Sequence, residues 1–326
     1  MAENPLVSVL VPIYNVQKFL PQCLDALTNQ TLRDIEIIAV NDGSTDESPR
    51  IIADNAARDQ RIRVIDKPNS GYGASLNMGL EQARGTYVGI AEPDDFTERS
   101  MYKKLSDAAR KYDADLVKCN FFETFEDHEQ ANFNLREFAY KKPFDPADQP
   151  KVVHVIPSIW AALYRREWLN DQGIRFRETP GASFQDTGFT MKAWFGARRA
   201  VFVKKPLLHY RMDNPNSSSK STAKVFEVCD ELQSAQEYLR TMPERYQKFI
   251  CWFHVDKWGK YQWNYERIAS ELHAEFVERA RSEYQAAQAA AELDMSLFTP
   301  REAQQVHDLL ALEPAQFADK YETLYY

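Results

Sequence analysis

Short apolar segments that alternate with amphipathic helical segments fill the first 120 residues of the chain. The apolar segments lie at residues 7–11, 35–40, 62–65, 86–91 and 115–119. Strands that alternate with helices in this way predict an α/β fold, with a mostly parallel sheet flanked by helices on both faces. Right-handed crossovers then bring the loops that follow the strands to one edge of the sheet.

Three acidic residues follow the fourth apolar segment: Glu92, Asp94 and Asp95. Open α/β sheets bind ligands at the carboxyl ends of their strands, where carboxylates do little for folding. Clustered carboxylates with room for water hold Mg²⁺ or Mn²⁺ beside phosphate-bearing substrates. The structural alternative is an acidic turn that caps the next helix, which is a common arrangement.

Two further loops are predicted at the same edge. Asp42 follows the second strand and can accept a hydrogen bond from a nucleotide base, on which Tyr14 could stack; an ordinary turn is the alternative. The loop that contains Asn69 and Gly71 precedes a helix, and its glycines would let the backbone approach a phosphate. It matches neither a dinucleotide fingerprint nor a P-loop, so a flexible turn is its alternative.

Two residues in later segments are candidates for chemistry. Asp186 stands at the start of a predicted helix, where an aspartate usually caps the helix or complements its dipole. In the mouth of a site, the same carboxylate could take a proton from an acceptor hydroxyl as a general base. His209, followed by Tyr210 and Arg211, is either a structural histidine, a metal ligand or a diphosphate contact.

Composition narrows the class of protein. A formal net charge of −8 argues against a general nucleic-acid binder. No apolar stretch approaches the roughly 20 residues that span a bilayer, and the first residues lack the basic region of a signal peptide. The four cysteines have no CxxC spacing. We therefore expect a cytoplasmic protein with reduced, buried thiols.

Five ordered blocks between residues 5 and 213 resemble glycosyltransferase family 2, whose members have the GT-A fold. The blocks are residues 7–15, 30–46, 77–85, 160–166 and 185–186. The resemblance implies inverting transfer of a sugar from a nucleotide-sugar donor, commonly a UDP-sugar, to a hydroxyl of a glycan or polymer acceptor. Synthesis of a surface or cell-wall polysaccharide is the expected setting. We predict a catalytic domain over residues 1–220 and a helical C-terminal region over residues 221–326.

The resemblance also implies roles for individual residues. Glu92, Asp94 and Asp95 would form the DxD-type metal motif for Mn²⁺ or Mg²⁺, with His209 as a further ligand, and Asp186 would be the catalytic base. The predicted nucleotide contacts are Pro12, Tyr14, Asn15, Asp42, Asn69, Gly71, Asn77 and Arg211.

Three positions depart from the family pattern. Glu92 replaces the usual aspartate, Gln185 replaces a glutamate before the base, and Ala162 replaces a common lysine. The first two departures, Glu92 and Gln185, suggest a second interpretation, a catalytically weak or inactive homologue that binds or scaffolds glycans. A nucleotidyltransferase is a third, but such enzymes usually carry a basic loop after the first strand, and residues 12–15 contain no basic side chain.

The segment from residue 246 to residue 267 is rich in aromatic and basic side chains. Apolar spacing such as Phe249, Trp252 and Phe253 favours a packed helical core. The alternatives are stacking on an acceptor glycan, or a docking surface for a partner, a second copy of the chain or the inner face of the cell membrane.

Overall fold

The computed structural model describes residues 4–214 and 224–324. Two compact units divide the chain. The first comprises Met1–Pro146 and Val155–Pro215, and the second comprises Ala147–His154 and Asn216–Tyr326. The boundary predicted at residue 220 lies outside the described residues. The second unit therefore includes a short segment from the middle of the chain in addition to its last third.

One sheet forms the centre of the first unit. Its strands are β1 (Val7–Ile13), β2 (Ile35–Asp42), β3 (Ile62–Lys67), β4 (Tyr87–Ile90), β5 (Phe96–Thr97), β6 (Leu116–Thr124), β7 (Glu129–Asn132), β8 (Ala162–Arg165) and β9 (Ala200–Arg211). The strand order is β3-β2-β1-β4-β8-β6-β9-β5, and β7 pairs with β6. The first four strands are parallel to one another, as the alternating pattern predicts.

The α/β class and the helical C-terminal region are confirmed, but the sheet is mixed. Strand β8 runs antiparallel to both β4 and β6, and β5 runs antiparallel to β9. The spacing of Trp160, Leu163, Tyr164 and Trp168 in the sequence is typical of a helix, whereas Ala162–Arg165 is a strand in the middle of the sheet. A short apolar run that is buried on both faces has no periodicity to distinguish a strand from a helix.

Helices cover the sheet in the first unit: α1 (Leu20–Thr28), α2 (Ser48–Arg58), α3 (Tyr72–Gln82), α4 (Met101–Tyr112), α5 (Arg166–Asp171) and α6 (Gln185–Gly196). In α1 the buried side chains are Leu20, Cys23, Leu24 and Leu27. Their spacing places them on one face of the helix. This face accounts for the helical pattern seen in the sequence.

The described part of the second unit is helical: α7 (Glu227–Arg240), α8 (Pro243–Tyr265), α9 (His273–Ala289), α10 (Pro300–Ala311) and α11 (Pro314–Lys320). Helix α8 carries the aromatic-rich segment, and Phe249, Phe253, Trp258, Tyr261 and Tyr265 are all buried. These rings form the core of the helical unit. Among the described helices, none combines the length and the apolar character needed to cross a membrane.

Candidate active site

The acidic loop lies between two strands of the sheet. Strand β4 ends at Ile90, and the chain then turns tightly, with the Asp95 amide donating to the Glu92 carbonyl at 3.1 Å. The next residue, Phe96, begins β5 and pairs with His209 of β9. The carboxylates are therefore held at the carboxyl end of β4 by strand pairing on both sides, as the sequence predicts.

Asp95 is buried, with 3% of its surface exposed. Its Oδ1 accepts a hydrogen bond from the Arg211 backbone N–H at 2.8 Å. Its Oδ2 is buried and has no hydrogen-bond partner among the described residues. Burial, followed by the neighbouring charge of Asp94, raises the pKa of Asp95 well above its ordinary value. An unpartnered buried oxygen of this kind is a position for a bound cation.

Asp94 and Arg211 lie beside it. The Asn214 side-chain amide donates to Asp94 Oδ2 at 2.8 Å. The Arg211 guanidinium donates through Nε to the Asp94 carbonyl at 2.9 Å and through Nη2 to Gln22 at 2.7 Å. The guanidinium charge thus stands next to the acidic loop, where it can meet a phosphate.

Glu92 has a different environment. The Tyr72 hydroxyl, at the start of α3, donates to its carboxylate. Burial is the main reason that the pKa of Glu92 is raised to about 8. The Tyr72 hydrogen bond acts against this shift, while the charges of Asp94 and Asp186 add to it. Like Asp95, this carboxyl therefore holds its proton to a higher pH than an ordinary side chain of its kind.

Asp186 lies in the first turn of α6, after Phe184, whose φ of 57° is left-handed. The charge of Asp186 acts on Glu92 and contributes to its raised pKa. The pKa of Tyr210 is raised to about 12, first by burial and then by the charges of Asp95, Asp94, Asp186 and Glu92. The charges of four carboxylates from two distant segments therefore act on one phenol. We call Glu92, Asp94, Asp95 and Asp186 the acidic cluster.

The contacts of Gln185 account for the glutamine that stands where the family usually has a glutamate. Its side chain is buried, and its amide nitrogen donates to Thr179 Oγ1 at 2.8 Å and to the Gly181 carbonyl at 3.4 Å. Its amide oxygen accepts from the Ser183 N–H. A carboxylate could not donate to Thr179 and Gly181. Gln185 thus fixes the segment that leads into α6.

The loops after β1 and β2 are joined by side chains. Asn15, at a left-handed φ of 48°, accepts from the Thr45 N–H at 2.8 Å, and its own N–H donates to Ser44 Oγ at 3.1 Å. Pro12, one of the predicted contacts, lies within β1 opposite Val40. Tyr14 is 53% exposed, so its ring is open to a stacking partner at the carboxyl end of β1.

Asp42 organises the loop that precedes α3. Its carboxylate accepts from the N–H groups of Ser70 at 2.9 Å and Gly71 at 3.0 Å and from the Lys67 ammonium. Gly71 has a φ of 99°, and a side chain there would meet the Thr179 carbonyl at 2.3 Å. The glycine is required for close backbone approach. The backbone N–H of Asn69, in the same loop, lies close to Gly43.

The described contacts of two predicted site residues are with groups outside the acidic cluster. Asn77 is buried and binds the backbone of Phe176 through both its oxygen and its nitrogen, with a further bond to Glu178. The His209 ring is stacked between Phe96 and Phe122, with Nδ1 at 2.5 Å from Glu129. We therefore leave Asn77 out of the proposed donor site and His209 out of the proposed metal site.

Three residues were not identified from the sequence: Tyr72 and Tyr210, which interact with the acidic cluster, and the buried Lys118 of β6. Tyr72 and Tyr210 lie in segments where other residues were predicted to act, and a tyrosine that interacts with distant carboxylates has no local signature. Lys118 is a charged residue within the apolar run of β6, which is the one signal the sequence offers. It pairs across the sheet with Ala162, the position where a lysine was expected.

The residues partly fit a divalent cation. Among the described side chains, no group of three or more His, Cys, Asp or Glu is arranged to hold a metal ion. Asp94 and the unpartnered Oδ2 of Asp95 nevertheless offer two adjacent carboxylates. Mg²⁺ and Mn²⁺ at phosphate sites commonly take one or two carboxylates and complete their shell with phosphate oxygens and water. These two carboxylates would therefore suit a cation that binds together with a diphosphate.

Comparison with known proteins agrees with the geometry. The family described as glycosyl transferase family 2 matches residues 8–173, just over half of the chain. Glycosyltransferase EpsJ of Bacillus subtilis is 38% identical over 226 residues, which cover 65% of this chain and 62% of EpsJ. EpsH of the same organism is 35% identical over 69% of this chain and 66% of its own length. The chain thus spans a little under two thirds of these relatives.

Solved structures share the fold. S. aureus TarS 1–349 in complex with UDP-GlcNAc has a TM-score of 0.80 at 18% identity, covering 97% of this chain and 90% of that one. Mannosyltransferase PcManGT from Pyrobaculum calidifontis, in complex with GDP-Man and Mn²⁺, has a TM-score of 0.54 at 17% identity over 98% and 88% of the two chains. The chain therefore belongs to glycosyltransferase family 2 and has the GT-A fold.

Proposed function

We propose that this protein transfers a sugar from a UDP-sugar to a hydroxyl of a glycan or polymer acceptor, with inversion at the anomeric carbon and with Mn²⁺ or Mg²⁺ bound. The observation that carries the proposal is the acidic cluster: Asp186 of α6 acts electrostatically on the same groups as Asp94 and Asp95. A base and a diphosphate site are both needed for sugar transfer to a hydroxyl, and this arrangement supplies candidates for both.

The donor side is supported by several residues. Tyr14 is exposed at the end of β1 and can stack on a base, and Asp42 fixes the loop that precedes α3. Arg211 adds a positive charge beside Asp94 for the diphosphate. UDP as the nucleotide is favoured because the structural neighbour TarS was solved with UDP-GlcNAc and with UDP.

The proposed class of acceptor is based on the named activity of a relative. Chondroitin synthase of Escherichia coli is 37% identical to this chain over 107 residues, which cover 33% of this chain and 16% of the synthase. A polysaccharide is therefore the acceptor class that we propose, in surface or cell-wall synthesis at the inner face of the cell membrane. The identity of the sugar is left to the donor screen described below.

The reaction requires one displacement. The acceptor oxygen attacks the anomeric carbon while the bond from that carbon to the diphosphate oxygen breaks, and the acceptor proton passes to Asp186. A cation held by Asp94 and Asp95 would supply neutralisation of the charge on the departing diphosphate. Arg211 lies where its guanidinium can contribute to the same neutralisation. A single protein carboxylate takes part in the attack, so the configuration inverts.

A second candidate function is a glycan-binding homologue with little or no turnover. The specific observation in its favour is Glu92, whose carboxyl is bound by Tyr72 and has a pKa near 8. Under this alternative, the protein would bind donor or glycan without releasing UDP.

A UDP-release assay separates the two functions. UDP-sugars are screened by thermal shift with Mn²⁺ and with EDTA, and each stabilising donor is assayed with and without oligosaccharide acceptors. The proposal predicts metal-dependent UDP release. It also predicts that Asp186→Asn lowers turnover by about 10²–10⁴-fold while donor binding is retained.

The matched control is Asp107→Asn. Asp107 is exposed on α4 and pairs only with Lys103 in the described contacts, so its substitution should leave turnover unchanged. Donor stabilisation without UDP release on any acceptor would favour the binding homologue. Equal turnover in Asp186→Asn and wild type would contradict the assignment of the base.

A further inference from the structure

Arg211, the last residue of β9, carries a charge that no ion pair neutralises in the described contacts. Its guanidinium donates through Nε to the Asp94 carbonyl at 2.9 Å and through Nη2 to the Gln22 amide oxygen at 2.7 Å. Both acceptors are neutral. Arg84 shows the structural alternative, because its guanidinium donates twice to the Glu36 carboxylate, at 2.8 Å and 3.1 Å. The charge of Arg211 therefore stays available to an anion.

Two aromatic rings lie close to the same guanidinium. Its Cζ is 4.8 Å from the centroid of the Phe19 ring and 5.8 Å from that of the Phe96 ring. Phe19 directly precedes α1, and Phe96 begins β5. A ring face attracts a cation without cancelling its charge. Neutral groups from three parts of the first unit therefore hold this cation in place.

The hydrogen bonds of Arg211 leave donors for a ligand. An arginine side chain carries five N–H donors in one plane. Nε and Nη2 have acceptors within the protein, while Nη1 has none among the described residues. Because the guanidinium is planar, the bonds at Nε and Nη2 also fix the direction of Nη1. This orientation decides how well the side chain meets a phosphate, which arginine binds through donors of fixed geometry.

The backbone of Arg211 is bound to the acidic cluster as well. Its N–H donates to Asp95 Oδ1 at 2.8 Å, and Asp95 Oδ2 is the buried oxygen that has no partner in the described structure. The same carboxyl thus anchors the end of β9 and offers its second oxygen to a cation. A diphosphate bound by that cation would lie next to Arg211.

We propose that Gln22 of α1 is a positioning residue for sugar transfer: its amide oxygen holds the Arg211 guanidinium in the orientation in which Nη1 meets the diphosphate of the donor. Gln22 acts through Arg211 and does not itself touch the donor. This inference rests on the proposed function, in which the diphosphate lies beside Asp94 and Asp95. The neutral amide is suited to this role, since a carboxylate would hold the guanidinium but cancel its charge.

A double-mutant cycle on UDP binding tests this role. UDP is titrated calorimetrically in Mn²⁺ into the wild type, Gln22→Leu, Arg211→Met and the double variant. Gln22→Leu removes the acceptor and keeps the size of the side chain. Arg211→Met removes the charge and the donors but keeps an apolar chain against Phe19. We expect UDP binding to weaken about fivefold in Gln22→Leu and about 50-fold in Arg211→Met. In the Arg211→Met background, Gln22→Leu should have no further effect.

Gln22→Glu separates position from charge. The carboxylate can still accept from Nη2 of Arg211, so thermal stability should equal or exceed that of the wild type. UDP binding should nevertheless weaken at least as much as in Gln22→Leu, because the new ion pair takes up the charge that the diphosphate needs. A purely structural Gln22 predicts the opposite pattern, in which the glutamate variant keeps both stability and UDP affinity.

Asn29→Leu is the matched control. Asn29 is an exposed amide at the other end of α1, and its side chain donates only to Asp25 in the described contacts, so UDP affinity should be unchanged. Wild-type affinity in Gln22→Leu, Gln22→Glu or Arg211→Met would overturn the proposal. An equal effect of Gln22→Leu with and without Arg211 would also overturn it.

Arg211→Gln is the second neutral background, for use if Arg211→Met is unstable. If neither folds, the titrations of Gln22→Leu and Gln22→Glu decide the question alone. The proposed function is tested separately by the wild type. If the wild type binds no UDP in Mn²⁺, the diphosphate site itself fails. If the wild type binds UDP and Gln22→Leu binds it equally well, only the role of Gln22 is lost.

Discussion

Buried acids have opposite environments in the two units of this protein. In the first unit, Glu92 and Asp95 have raised pKa values, with burial as the main cause in each case. In the helical unit, Glu283 and Glu292 have lowered pKa values although burial alone would raise them. The difference lies in the neighbours: other carboxylates surround the first pair, and donors surround the second.

The helical unit shows how a buried acid is stabilised. The charge and hydrogen bond of Lys257, with hydrogen bonds from Tyr261 and Arg279, outweigh the burial of Glu283. Glu292 accepts from Tyr246 and lies 3.0 Å from His254. We call Lys257, Arg279 and Glu283 the paired cluster. Its charges are satisfied within the fold, so its role is structural.

The buried acids of the acidic cluster lack such stabilising partners. Asp95 keeps one buried oxygen without a partner in the described structure, and like charges stand beside it. Such an arrangement costs stability unless a ligand supplies the missing positive charge. The comparison teaches that unsatisfied buried charge indicates a binding site, while satisfied buried charge indicates a structural role.

The largest expected effect comes from Asp95→Asn. The amide oxygen can still accept from the Arg211 N–H, but the site loses the carboxylate oxygen that a cation would bind. We expect transfer to fall by about 10³-fold, the size typical of removing one electrostatic group from a reaction site. Thermal stability in EDTA should be unchanged or higher. A large drop in stability would mean that Asp95 is a structural acid like Glu283, and the comparison would fail.

Glu283→Gln is the converse experiment. It leaves Lys257 buried without a negative partner, and we expect the helical unit to lose about 3 kcal/mol of stability. Chemical denaturation followed by far-ultraviolet circular dichroism measures the loss. Donor turnover at a temperature where both proteins are folded should be unaffected. An unchanged denaturation midpoint would show that the paired cluster is not a source of stability.

The two clusters should also respond oppositely to pH. Glu92 has a folded pKa of about 8 against an ordinary value of 4.5, so the folded state holds its proton longer and the first unit loses stability as pH rises through that interval. Glu283 has a lowered pKa, so its contribution is present above about 4.5 and is lost as pH falls. Thermal scans in EDTA of wild type, Glu92→Gln and Glu283→Gln, each across pH, check both slopes. Each substitution should flatten only its own slope; the same slope in all three proteins would contradict the assignment.

The smallest expected effect is that of Tyr14→Ala. Its ring is exposed and contributes little to folding, so stability should stay within about 0.5 kcal/mol of the wild type. Loss of one base-stacking ring should weaken UDP binding about tenfold. Tyr14→Phe retains the ring and is the control. Equal UDP affinity in all three proteins would place the base elsewhere.

The sequence predicted the parts of this structure that depend on local pattern. Alternating strands and helices located the sheet edge, and the acidic residues after β4 and Asp186 at a helix start were identified from their positions. The resemblance to glycosyltransferase family 2 then connected them. What local pattern could not show is pairing between distant segments.

Three examples make the limit clear. The hydrogen bond from Tyr72 to Glu92 joins the start of α3 to the acidic loop, and neither sequence position indicates that the two side chains interact. His209 looked like a metal ligand, but its ring is stacked between Phe96 and Phe122 on neighbouring strands. The strand β8 lacks a period because both of its faces are buried. Each feature is decided by sheet order, which a single sequence does not specify.

Calorimetric titration of UDP with and without Mn²⁺, on the wild type and on Asp95→Asn, is the most direct test of the central claim that the acidic cluster is a cation-dependent diphosphate site. We expect Mn²⁺ to tighten UDP binding by at least about tenfold in the wild type, equivalent to about 1.4 kcal/mol, and to have little effect in Asp95→Asn. Equal UDP affinity in Mn²⁺ and in EDTA for the wild type, or an unchanged response to Mn²⁺ in the variant, would contradict it.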